Sequence, residues 1–148
     1  MTITNFEKGI DSENRVARVL KKEIPKKYQI EQNHSWGVDI VVRNKDYPPF
    51  AFVKEIKVEV KSANEKVKNG NKGLRSGKFS FYPNNLDKPD YFAFEVCKLD
   101  NKITTYWVKG EVIQNHFKDH KRKTKLTLGV PTLLQRISKV DFSEVIKL

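Results

Sequence analysis

The chain has 148 residues, 38% of them hydrophobic and 32% charged, with 29 Lys and Arg against 18 Asp and Glu. That balance excludes a disordered chain and predicts one folded domain, residues 1–148, long enough to bury a core. The formal net charge of +11 points to a polyanionic partner, and with no long apolar stretch or basic amphipathic helix, nucleic acid fits better than a membrane.

Cys97 is the single cysteine, so no internal disulfide can form. It lies in an apolar run and reads as a small buried hydrophobe. The chain does not open on a basic region followed by an apolar core, so an intracellular, cytoplasmic protein is expected.

Thr4-Asn5-Phe6-Glu7 has the form of a capping box. After it Phe6, Ile10, Val16, Ala17, Leu20 and Ile24 recur at helical spacing until Pro25, which stops the helix. Glu13 lies on the apolar stripe. Either it reaches solvent at the edge of that stripe, or it is paired or bound to a metal, because a lone buried carboxylate costs several kcal/mol.

Tyr28 to Glu31 reads as a short strand, and Asn33 to Gly37 as a turn. Val38 to Val42 is a β-branched strand with Asp39 near its start. An acid there is poor strand material, so Asp39 is either a cap or a metal ligand. Residues 44–49 are a loop, and Phe50 to Lys61 returns as the hairpin partner, bringing Glu59 toward Asp39 if the register allows. From Glu55 the alternation is strict: Glu55, Lys57, Glu59 and Lys61 share one face, Ile56, Val58 and Val60 the other. Glu59 and Lys61 therefore point the same way, about 7 Å apart. That pattern belongs to many half-solvated strands. It also suits phosphodiester hydrolysis, with a carboxylate to hold a metal and an ammonium to orient water.

Residues 62–78 carry Lys66, Lys68, Lys72, Arg75 and Lys78 among Gly70, Gly73 and Gly77. They read as a flexible basic loop, with a short helix at most, suited to phosphate contact. Phe79 and Phe81 are expected in the core. Tyr91 to Cys97 is apolar enough for a central strand, Asp100-Asn101-Lys102 is a tight turn, and Ile103 to Val108 is the hairpin partner. Glu111 to Phe117 reads as a short helix. His116 and His120 are better explained as a solvated basic helix end than as zinc ligands. Lys118 to Lys125 is basic, Lys125 to Leu128 an edge strand, and the segments after Pro131 and Asp141 short helical turns.

Taken in order, Lys8-Gly9 with Glu13, Gly37-Val38-Asp39-Ile40, and Glu59-Val60-Lys61 resemble the motifs of the PD-(D/E)XK nuclease superfamily. Within it, the resemblance is to the archaeal Holliday-junction-resolvase-like and restriction-endonuclease-like small nucleases. The spacing fits, 26 residues from Glu13 to Asp39 and 20 from Asp39 to Glu59. Val38 stands where that family often has proline. The resemblance implies an α/β fold, a central mixed β-sheet flanked by helices with a restriction-endonuclease-like core. It implies catalytic roles for Glu13, Asp39, Glu59 and Lys61. Asp39, Glu59 and the Val60 carbonyl would hold Mg²⁺ or Mn²⁺, with Glu13 acting directly or through a bound water. Lys61 would position the attacking water, leaving a 5′ phosphate. The expected function is metal-dependent DNA endonuclease, open to branched substrates. The alternatives are a catalytically inactive binding module of the same fold, or an RNA-directed nuclease. A homodimer is compatible, because junction resolution needs two symmetric cuts.

Overall fold

A computed structural model describes residues 5–24, 28–35, 38–44, 55–119 and 125–137. Thr4, Pro25, Trp36 and Gly37, the 45–54 segment, the basic run 120–124 with His120, and the 141–146 segment lie outside them.

The helix α1, Asn5–Glu23, forms where the apolar stripe predicts it, and buries Val16, Ala17, Leu20 and Ile24. Three antiparallel strands follow: β1 Tyr28–Ser35, β2 Val38–Asn44 and β3 Ile56–Asn64. Next come the small strands β4 Lys66–Lys68, β5 Leu74–Ser76 and β6 Lys78–Phe81, then β7 Tyr91–Cys97 and β8 Ile103–Lys109. The helix α2 Gly110–His116, the strand β9 Leu126–Gly129 and a helical segment, α3 Val130–Thr132 running into a π-helical turn Leu133–Ile137, complete the described chain.

The fold is α/β around a mixed five-stranded sheet in the order β1-β2-β3-β7-β8. β3 and β7 are parallel, in register from Val58↔Tyr91 to Asn64↔Cys97, and the other neighbours are antiparallel. Asp90 locks the start of the parallel pair: its N–H donates to the Lys57 carbonyl at 2.8 Å, and its Oδ2 accepts from the Lys57 N–H at 2.8 Å.

The two faces of the sheet build two cores. On one, Ile40, Val42, Ile56, Val58, Ala93 and Trp107 pack under α1. On the other, Phe92, Phe94, Val96 and Val108 meet Phe79 and Phe81 of β6, Leu126 and Leu128 of β9, and the α2 and 130–137 segments. The second face is therefore covered largely by the antiparallel β6–β9 pair, with short helical pieces beside it. Phenylalanines dominate it: Phe79 lies edge-on to Phe94 with centroids 4.8 Å apart, and Phe81 to Phe92 at 5.5 Å. β7 is buried on both faces, as its apolar run predicts. No helix among the described residues is long and apolar enough to cross a membrane.

Four local expectations are corrected. β1 does not end at Glu31; it continues to Ser35, with its register shifted between Gln32 and Ser35. β1 is the edge strand of the sheet, and the residues expected to open a turn at Asn33 are strand as far as Ser35. β3 runs three residues beyond Lys61, because β7 pairs with it as far as Asn64. The 62–78 segment is not a loose loop but the antiparallel β4–β5 hairpin, closed by a 3-10 turn at Gly70–Lys72. Cys97, at the end of β7, is only half-buried.

Candidate active site at the β2–β3 opening

β2 and β3 pair through Val42↔Ile56, Val41↔Lys57 and Ile40↔Val58, and the ladder stops there. Continued in the same register, it would set Asp39 opposite Glu59. The backbone pairing gives way instead, and the Val60 N–H donates to Asp39 Oδ2 at 2.7 Å. This accounts for an acid at the head of a β-branched strand: Asp39 satisfies an amide left without a ladder partner where the strands part.

Glu13 enters from α1, carried by the helix face that also buries Val16 and Ala17. Its carboxyl and that of Asp39 lie close enough to act on each other's acidity. Glu59 and Lys61 project from the face of β3 opposite to α1. Their register partners on β7 are Phe92 and Phe94. Lys61 Nζ lies 3.3 Å from Glu59 Oε1 and 5.2 Å from the centroid of the Phe81 ring. The structure thus brings Glu13, Asp39, Glu59, Val60 and Lys61 together around one opening in the sheet.

Burial shapes the acidity of this group. It pushes Asp39 from 3.8 up to about 7, opposed by the Val60 amide and reinforced by the Glu13 charge. Glu13 and Glu59 are raised for the same leading reason, burial, and each also feels a neighbouring carboxylate. For Glu59 the opposing influence is mainly Lys61, with a smaller one from Lys88. Lys88 is a second cation near the opening, and no motif in the sequence marks it.

The donor set suits a hard divalent cation. Mg²⁺ keeps several waters and takes one or two protein carboxylates, so Asp39, Glu59 and the Val60 carbonyl are sufficient in kind. They are not a closed cage: among the described residues no group of three His, Cys, Asp or Glu side chains is arranged to hold a metal. Asp39 is turned to Val60, and Glu59 to Lys61.

The expected basic residues Lys66, Lys68, Lys72, Arg75 and Lys78 are all exposed. They lie on or at the root of the β4–β5 hairpin rather than in the opening. Ser62, next to Lys61 in the chain, is exposed on β3.

Sequence reasoning missed a second polar cluster. Glu95 is 3% exposed in the middle of β7. Its Oε2 accepts from Arg15 Nε and its Oε1 from Ser12 Oγ, each at 2.9 Å, and Arg15 Nη2 also bonds Oε1. A charge inside a continuous apolar strand was the available signal. Ser12 and Arg15 stand on either side of Glu13 in the chain, so this clamp fixes the turn of α1 that delivers Glu13.

No family model, no curated protein and no solved structure matches this chain.

One consequence is measurable in the metal-free protein. A carboxyl whose folded value lies above its unfolded value contributes stability in acid that is lost as pH rises through the folded value. With Asp39 moved from 3.8 to about 7, stability in EDTA should fall between pH 4 and pH 8, by up to about 4 kcal/mol. Urea unfolding across that range checks it. Asp39→Asn should flatten the profile, and Mg²⁺ should restore wild-type stability at the alkaline end. A wild-type profile that is flat in EDTA would contradict this electrostatic picture.

Proposed function

We propose that this protein is a metal-dependent nuclease that hydrolyses phosphodiester bonds, with DNA as its substrate and a PD-(D/E)XK core. The observation that carries the reading is the meeting of Asp39 and the Glu59–Lys61 pair at the β2–β3 opening, with the Glu13 carboxyl beside Asp39. The element order supports it. The helix α1 and the antiparallel strands β2 and β3 carry the motif residues in the order of the family, and β7 lies parallel to β3. The net charge of +11 supplies affinity for a polyanion.

Asp39, Glu59 and the Val60 carbonyl would hold Mg²⁺ or Mn²⁺. The cation would polarise a phosphoryl oxygen and acidify a water. Lys61 orients the attacking water and offsets charge developing on the phosphate. Its fixed distance from Glu59 and its seat on Phe81 reduce the reorganisation this needs. Glu13 would reach the cation directly or through a bound water, and its charge bears on the acidity of Asp39. Hydrolysis in this arrangement leaves a 5′ phosphate.

A second reading, a nucleic-acid-binding module without turnover, is favoured by the absence of a ready three-ligand metal group among the described residues. One panel separates the two. End-labelled linear duplex, single strand, four-way junction and RNA of equal length are incubated with Mg²⁺, Mn²⁺ or EDTA. The nuclease reading expects metal-dependent products with 5′ phosphates on at least one DNA. Tight binding without products on any substrate would favour the module. Preference for the junction would further require two copies acting together.

A further inference from the structure

The β4–β5 hairpin has no share in either core. No residue from Lys66 to Ser76 is buried, so packing does not dictate its sequence. Its root is nevertheless fixed. The Glu65 N–H donates to the Cys97 carbonyl at 2.8 Å, the Gly77 N–H to the Glu65 carbonyl at 3.0 Å, and the Val130 N–H to the Gly77 carbonyl at 3.0 Å. A Cβ on Gly77 would stand 1.6 Å from the Asn64 carbonyl oxygen, so only glycine fits that crossing. At the tip the Asn69 N–H donates to the Gly73 carbonyl at 2.9 Å, and Gly70 and Gly73 take φ of 58° and 84°. The segment is a projecting ribbon held at its root.

Its charge is arranged on both sides. Lys66, Lys68, Lys72, Arg75 and Lys78 are exposed, and none is in an ion pair among the described residues. The register Lys66↔Ser76, Val67↔Arg75, Lys68↔Leu74 puts Lys66 and Lys68 on one face and Arg75 on the other. A flat anionic surface would engage one face. Cations on both faces fit a groove with a phosphate wall on each side.

We propose that this hairpin enters the major groove of B-form duplex DNA tip first, and so commits the protein to duplex DNA over RNA. That groove is about 12 Å wide and about 8.5 Å deep and admits a two-stranded ribbon, whose backbones stand about 5 Å apart. The deep, narrow major groove of A-form RNA does not admit it. The tip, residues 69–73, would then meet the base edges. There Asn69 and Asn71 carry amides of the kind that read adenine, and beside them Leu74, 57% exposed, suits a thymine methyl. β3 leads from Glu59 and Lys61 into the hairpin, five residues from Lys61 to Lys66, at most about 17 Å. Binding stands on the hairpin alone; what the bound duplex is for rests on the nuclease reading above.

The test measures binding in EDTA, where cutting is off. The probes are a DNA duplex, an RNA duplex of the same sequence, and the DNA duplex with bulky groups on pyrimidine C5, which fill the major groove. Wild type should bind the DNA at least about 10-fold more tightly than the RNA, and lose about 10-fold on the C5-substituted duplex. The triple substitution Lys66→Ala, Lys68→Ala and Arg75→Ala should lower the slope of log affinity against log salt by roughly 2.7 and remove both preferences. Circular dichroism checks its fold, and Lys72→Glu alone should act in the same direction. Equal binding of RNA, indifference to C5 groups, or an unchanged salt slope in the triple variant would overturn the proposal. Hairpin variants that bind like a wild type that cuts DNA would sink the hairpin and leave the nuclease. A wild type that prefers DNA through the hairpin but cuts nothing would do the reverse.

Discussion

Lys61→Ala is expected to lower metal-dependent DNA cleavage by about 10³-fold while duplex binding changes little. The reason lies in the pairing on β3. Lys61 Nζ is 3.3 Å from Glu59 Oε1, and Lys61 is the main influence holding the acidity of Glu59 against burial. In the proposed mechanism its removal takes away the ammonium that would face the reacting phosphate. It also moves Glu59 further toward its neutral form, which is the poorer metal ligand. Glu59→Gln tests the second effect alone and should cost a comparable factor. Circular dichroism and the unfolding midpoint serve as controls, since the side chain of Lys61 is only partly buried. A variant that cuts within about threefold of wild type would remove Lys61 from the mechanism.

The largest loss of stability is expected from Arg15→Ala, about 3 kcal/mol in urea unfolding. Glu95 is buried in the central strand, where Arg15 and Ser12 donate hydrogen bonds to it. Truncating the arginine leaves a carboxylate in an apolar strand with one hydroxyl donor. Arg15 is itself 37% exposed, which places the cost at the low end for a broken buried pair. The double substitution Arg15→Met and Glu95→Leu should recover most of it, because no charge is then stranded. A single-variant loss below about 1 kcal/mol would show that Glu95 finds water or another partner. Since Ser12 and Arg15 flank Glu13, Arg15→Ala should also reduce cleavage under conditions where the protein remains folded.

The parts of the fold that bury a face were legible in the sequence. The α1 stripe, the alternation of β3 and the apolar run of β7 each report a surface that packs against something. The β4–β5 hairpin was not legible for the opposite reason. It buries nothing, so its lysines and glycines carry no alternation and read as a loop. The coincidence of Asp39 and Glu59 was half legible. Two antiparallel strands were plain, but the sequence of neither strand dictates their register, which is set by the pairs Ile40↔Val58, Val41↔Lys57 and Val42↔Ile56. The Glu95 clamp could not be assembled from sequence, because its partners lie 80 and 83 residues away. Lys88 near Glu59 was hidden in the same way.

The most direct measurement is a time course of cutting on a labelled DNA duplex with Mg²⁺, with EDTA added midway, run for wild type, Lys61→Ala and Glu59→Gln together. The β2–β3 opening as a metal-dependent nuclease site predicts steady cutting by wild type that stops on chelation, and near silence from both variants on DNA they still bind. Cutting that continues in EDTA, or that proceeds equally in all three proteins, would contradict it.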